Sequence, residues 1–136
     1  MTYALRTTVE RPHATVLADT RRALADQGFG VLTEIDLQAT LKAKLDAEIA
    51  PQVILGACRP PLAHAAIEAE PSIGLLLPCN VVVRASSDTT TVVEAVDPQM
   101  MLAVTGNPTL QAVSDEAAGR LRTALDALGG TRVEQA

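Results

Sequence analysis

The 136-residue chain carries 11 Lys and Arg against 16 Asp and Glu, a formal charge of −5, which suits one acidic domain. With 48% hydrophobic and 20% charged residues it can bury roughly two thirds of its unfolded surface, which argues against disorder. No basic cluster is present to displace counterions from a phosphate backbone or to dock on an anionic bilayer, so neither nucleic acid nor a membrane is an expected partner.

In chain order, residues 3–9 alternate with period two, as a half-exposed strand does: Tyr3, Leu5, Thr7 and Val9 share one face, Ala4, Arg6 and Thr8 the other. This start has neither a basic leader nor an apolar stretch behind it, so a cytoplasmic address is expected rather than export. Pro12 suits a first helical position, and Val16, Thr20, Ala23, Leu24 and Gln27 recur at helical spacing until Gly28 stops the helix. Phe29, Val31, Thr33 and Ile35 predict a second strand, and Asp36 an N-cap for a short helix striped by Leu37, Leu41 and Leu45. The apolar run from Val53 to Cys58 predicts a strand at a sheet centre, with Gly56 inviting close backbone approach. Pro60 and Pro61 open a third helix through Ala69, which Pro71 ends.

Residues 79–85 and 91–97 are β-branched runs joined by Ser86-Ser87-Asp88-Thr89-Thr90, an antiparallel hairpin. Asn107 and Pro108 open a last helix with Leu110, Val113, Ala117, Leu121, Leu125 and Leu128 on one stripe, stopped by Gly129-Gly130. The order β-α-β-α-β-α-β-β-α predicts an α+β domain over residues 1–130: two layers, a mainly antiparallel five-stranded sheet with long helices on one face. Residues 131–136 are expected to be a frayed tail. No apolar run approaches the length of about 18 residues that would span a bilayer.

Phosphate-binding glycine loops, nucleophile elbows, H-E-x-x-H and C-x-x-C are all missing, so nucleotide and hydrolase chemistry has no support. Only Tyr3 and Phe29 are aromatic, which removes stacking platforms and aromatic cages. What remains is one concentration of unusual residues at the ends of two predicted strands: Gly56, Cys58, Arg59, Pro60, Pro61 and His64, then Glu70, Pro71 and Gly74, then Pro78, Cys79 and Asn80. If those strands are antiparallel neighbours, both thiols share an edge of the sheet. His64 stands near the start of the third helix, placed to point back toward Cys58, and a helix N-terminus beside a thiol lowers its pKa. Such a cysteine would be nucleophilic, redox-active or soft-metal binding; equally, both can be small buried hydrophobes.

Cys58, His64 and Cys79 would need His13 or Asp97 to complete a four-ligand site, and their spacing matches no closed zinc site, so no metal is assigned. Asn80 can orient a ligand or lock the loop before it, Glu70 can work as an acid or base or simply end a helix, and Asp97 before Pro98 can cap the following turn. The 20 residues between the cysteines hold a helix and two proline-bounded turns, and nothing in that spacing enforces the Cα separation of about 4.4 to 6.8 Å that a disulfide needs. Unpaired thiols near one another are the expectation.

The segments Gly28-Phe29-Gly30-Val31-Leu32-Thr33-Glu34-Ile35-Asp36, Ile54-Leu55-Gly56-Ala57-Cys58-Arg59-Pro60-Pro61-Leu62-Ala63 and Gly74-Leu75-Leu76-Leu77-Pro78-Cys79-Asn80-Val81-Val82-Val83, with Asp97-Pro98, resemble the bacterial and archaeal family called domain of unknown function 302, whose members include small Thermus proteins. The resemblance covers about residues 12 to 128. It implies a small α/β domain similar to one half of a TATA-box-binding-protein fold, commonly a homodimer, and no DNA binding, reaction or cofactor follows from it. It marks Cys58, Pro60, Pro61, Cys79, Asn80 and Asp97 as candidate positions.

The expected protein is therefore a cytoplasmic, homodimeric domain that binds or senses a small molecule or ion in a pocket near Cys58, His64, Cys79 and Asn80, with Asp97 a further candidate. A thiol-dependent enzyme with Cys58 or Cys79 as nucleophile and His64 as base is the rival. A structural or interaction module with inert cysteines is the third reading. The homodimer is expected to form through an edge strand, either the first strand or that over Thr91 to Val96.

Overall fold

Alternating apolar residues give the strands one dry face, and two helices with apolar stripes cover it. The computed structural model describes residues 3–133. Its strands are β1 (Ala4–Val9), β2 (Gly30–Asp36), β3 (Gln52–Cys58), β4 (Cys79–Ala85), β5 (Thr91–Val96) and β6 (Thr131–Val133). Its helices are α1 (His13–Asp26), α2 (Leu37–Leu45), α3 (Pro60–Ala69), α4 (Gln99–Thr105) and α5 (Gln111–Asp126), with 3-10 turns at Pro71–Leu76 and Pro108–Leu110. The sheet order is β2-β3-β4-β5-β1-β6 and every ladder is antiparallel.

On the dry face, Val9, Val53, Leu55, Val81, Val83 and Val93 pack with Val16, Ala23 and Leu24 of α1 and Leu121, Ala124 and Leu125 of α5. Each such aliphatic side chain contributes about 1.5–3 kcal/mol on burial, so this layer dominates stability. A second cluster of Ala66, Ile73, Met101 and Leu110 ties α3, the turn after it, α4 and the start of α5 together. The caps read from the sequence are present. Gly28 adopts φ +80°, with its N–H on Ala25 O and that of Phe29 on Leu24 O, and Asp36 accepts the Ala39 N–H at 2.9 Å.

Three expectations change. The sheet has six strands rather than five, because Thr131–Val133, expected as the start of a frayed tail, pairs with β1. Gly130 permits this: a Cβ there would collide with the Thr8 carbonyl oxygen and lie 2.8 Å from Thr7 Oγ1. Residues 134–136 of the expected tail lie outside the described residues. Consequently β1 is interior, between β5 and β6, and β5 lies between β4 and β1, so neither is the edge expected to pair with a second copy. The edges are β2 and β6. Finally, α4 forms where only a turn was expected, with Met101 turned into the second cluster.

The opposite face of the sheet is not covered by these helices and carries an ion-pair ladder. Arg6 Nε and Arg84 Nε each donate to Glu94, at 2.7 Å to Oε2 and Oε1 respectively. Burial raises the Glu94 pKa, but the hydrogen bonds from Arg84 and Arg6 and their positive charges outweigh it and hold the carboxyl below its ordinary value of 4.5. A depressed folded-state pKa contributes stability that is full above the ordinary value and is lost as pH falls through the folded one. Replacing Glu94 by Gln should therefore cost about 1–2 kcal/mol in urea melts at pH 7, and the gap to the parent should shrink at pH 3.

Gly56 makes the close approach its position suggested. A Cβ there would collide with Thr33 Oγ1 and sit 2.9 Å from Pro78 Cγ, so β2, β3 and the entry to β4 meet over a bare Cα. Gly56→Ala should cost about 1–3 kcal/mol by overpacking, read as a lowered urea midpoint at unchanged slope.

Candidate functional site

Pairing of β3 with β4 puts Ala57 opposite Cys79, so Cys58 stands one residue beyond the partner of Cys79 at the same end of the sheet. The two cysteines are free; Cys79 is buried in the main core and Cys58 is half-buried. Both border one hollow, roofed by Leu62, Ala63 and Ala66 of α3 and by Val113 and Ala117 of α5, with Met101 and Phe29 closing its sides. About 20 Å³ of it admits the centre of a water-sized sphere, within a wider empty space of about 350 Å³ that includes open solvent. Burial, and secondarily the charge of Cys58, push the Cys79 thiol up to about 11, so it is protonated at neutral pH.

The remaining sequence candidates lie elsewhere. His64 is 76% exposed on the outer side of α3, its Nε2 2.8 Å from Glu68 Oε1 one turn on. Helical spacing explains this: Leu62, Ala63 and Ala66 take the inner face and leave positions 64 and 68 outside. Asn80 pairs with Gly56, and side chains alternate along a strand, so it sits on the uncovered face with Arg84 and Glu94. Asp97 is buried and its Oδ1 accepts the Gln99 N–H at 3.0 Å, which caps the start of α4. Glu70 Oε1 accepts from Asn107 Nδ2 at 3.4 Å, beside the Ala69 carbonyl that takes the same amide at 2.9 Å. Among the described residues no three His, Cys, Asp or Glu gather as a metal would require.

The helix N-terminus expected to activate a thiol supplies no free donor. Pro60 and Pro61 have no N–H, and those of Leu62 and Ala63 both go to the Arg59 carbonyl at 3.0 Å.

Arg59 is the residue whose role the sequence did not disclose. It borders the same hollow, and its Nε is buried without a hydrogen-bond partner. One terminal nitrogen lies 3.8 Å from Glu116 Oε2, which also takes Arg120 Nε at 3.2 Å, so two guanidinium groups share one carboxylate. The nearest signal in the sequence was position alone, between Cys58 and the proline pair. The hollow is thus lined by both cysteines, by apolar side chains and by Arg59, whose Nε lies against Gly28.

Among curated proteins no match was found. A solved structure, the crystal structure of an uncharacterized conserved protein DUF302 from Bacillus stearothermophilus, superposes with a TM-score of 0.86 at 25% identity, covering 94% of this chain and 99% of that one. The family model for the domain of unknown function DUF302 matches residues 5–128, from the second residue of β1 to just past α5. The elements that build the hollow all fall inside that span, and the chain belongs to the DUF302 family.

Proposed function

We propose that the protein is a binding or sensing domain for a small molecule or ion, and that its site is the hollow beneath α3 walled by Cys58 and Cys79. The observation that supports this most is that both cysteines and Arg59, whose Nε is buried without a hydrogen-bond partner, line one space. Buried donors are rarely left unpaired, because an unmade hydrogen bond costs about 1–3 kcal/mol, so an acceptor brought by a ligand fits there. A space near 20 Å³ limits that ligand to a few heavy atoms unless α3 shifts outward. The thiol-enzyme alternative is less well supported, since His64 faces solvent and no other imidazole borders the hollow. Two free thiols also fit a reducing, cytoplasmic setting.

The homodimer belongs to the same proposal, with its contact moved to β2. All seven residues of this edge strand are exposed, among them Leu32 at 65% and Ile35 at 44%, and α2 beside it buries none of its own. An unprotected edge pairs readily with its two-fold copy.

Native mass spectrometry of protein purified gently from cells should show an adduct of a few heavy atoms that Cys58→Ser no longer retains. Spectra of the bare 14.2 kDa chain across growth conditions would overturn the ligand reading. Light scattering at micromolar concentration should give twice that mass, and Leu32→Lys should return it to the monomer; a monomeric parent would remove the dimer.

A further inference from the structure

We propose that the open face of the sheet carries a second binding site, a trough along β4 that takes a small organic monocarboxylate with an apolar body, its carboxylate on Arg84 and its far end on Asn80. This goes beyond the hollow beneath α3, which lies on the other side of the sheet, and it gives a role to a residue that the hollow leaves out.

Three observations carry it. The first is room. By the measure that gives the hollow about 20 Å³, the trough offers about 300 Å³, space for roughly ten heavy atoms. The second is the order of its lining. Asn80, Val82 and Arg84 follow one another on the outward side of β4, about 13 Å from first to last, with Gln52 of β3 opposite Arg84 and Glu94 of β5 opposite Val82. The trough is polar at both ends and apolar between them, and a molecule charged at one end with an apolar body matches that order. The third is charge. Arg6 and Glu94, 19% and 18% exposed, form one ion pair; although burial opposes it, the hydrogen bonds and charges of Arg84 and Arg6 keep Glu94 ionised at neutral pH. Two guanidinium groups against one carboxylate leave one net positive charge, in a chain whose formal charge is −5. That surplus suits a monoanion, while Glu94 repels a second negative charge.

The binding group is in place before a ligand arrives. Arg84 Nε donates to Glu94 Oε1 at 2.7 Å, which fixes the guanidinium, and its two terminal nitrogens hydrogen-bond none of the described residues. Those N–H groups can grip both carboxylate oxygens in the planar, bidentate geometry that a guanidinium favours. Because the side chain is already held, little of its entropy is lost on binding. Asn80, exposed at the other end, offers an amide donor and a carbonyl acceptor, so a hydroxyl group on the ligand's far end would add a hydrogen bond.

Hexanoate and its ω-hydroxy derivative are the probes, with hexanol and hexylamine as controls, followed by backbone amide shifts in nitrogen–proton correlation spectra of the full chain. Hexanoate should move the amides of residues 80–84 and 94–96 saturably with a Kd of about 1 mM, and the hydroxy acid should bind about threefold more tightly. Hexanol and hexylamine should leave those amides where they are. Arg84→Met, which keeps the apolar stem, should weaken hexanoate by about tenfold while urea melts show the fold intact, and Arg84→Lys should recover part of the loss. Asn80→Ala should erase only the advantage of the hydroxy acid. Shifts that do not saturate at millimolar hexanoate, equal binding of hexanol, or an unchanged affinity in Arg84→Met overturns the proposal, and so does inorganic phosphate binding more tightly than hexanoate. None of these outcomes touches the ligand reading of the hollow, which stands or falls on the adduct retained from cells.

Discussion

The register between β3 and β4 governs what this molecule can do at its surface. Ala57 opposite Cys79 and Gly56 opposite Asn80 fix which side chains enter the helix-covered layer and which face away from it. Side chains alternate along a strand, so a slip of one residue would exchange the two sets and take Cys79 out of the core. The register is held twice: by Val53, Leu55, Val81 and Val83, which must be dry, and by Gly56, over which Thr33 and Pro78 close. A thiol pair at one end of the sheet and an amide on its far face follow from the same pairing.

The sheet has two unlike faces. One is aliphatic and sealed by α1 and α5. The other is organised by Glu94 between Arg6 and Arg84, a carboxylate of one central strand bound to guanidinium groups of both neighbours. Arg6 and Glu94 are largely buried and Arg84 is more exposed, and together they give that face a fixed arrangement of charge. The hollow beneath α3 is different again, lined by apolar residues with two cysteines and Arg59 among them.

Much of the architecture was legible because its causes are local. Period-two runs marked β1 and β2, a continuous apolar run β3 and β-branched runs β4 and β5, while Gly28, Asp36 and Pro60 marked helix ends through backbone geometry that neighbouring residues dictate. What escaped depends on partners distant in the chain. The three residues of β6 show no period of their own and become a strand only because Gly130 lets the backbone lie against Thr8. The site was half legible for the same reason. Cys58 and Cys79 sit on strands whose pairing could be read, but the direction of His64 depends on which side of α3 meets α5, and the side of Asn80 on its register with Gly56. Arg59 was invisible as a participant because an unpaired buried nitrogen is a property of packing alone.

The position of β1 has a consequence for the birth of the chain. This first strand pairs only with β5 and β6, Ala4 lying opposite Val96 and Thr8 opposite Thr131. Its neighbours in the sheet are thus the last strands to leave the ribosome, and no partner exists for it until some ninety residues have followed. During that interval β2, β3 and β4 can already form a three-stranded platform by local hairpin-like closures, with β1 and α1 waiting beside it. The centre of the sheet can close only once β5 arrives between β4 and β1, and α5 and β6 follow it, so truncation before β5 leaves the aliphatic face without α5 as part of its cover.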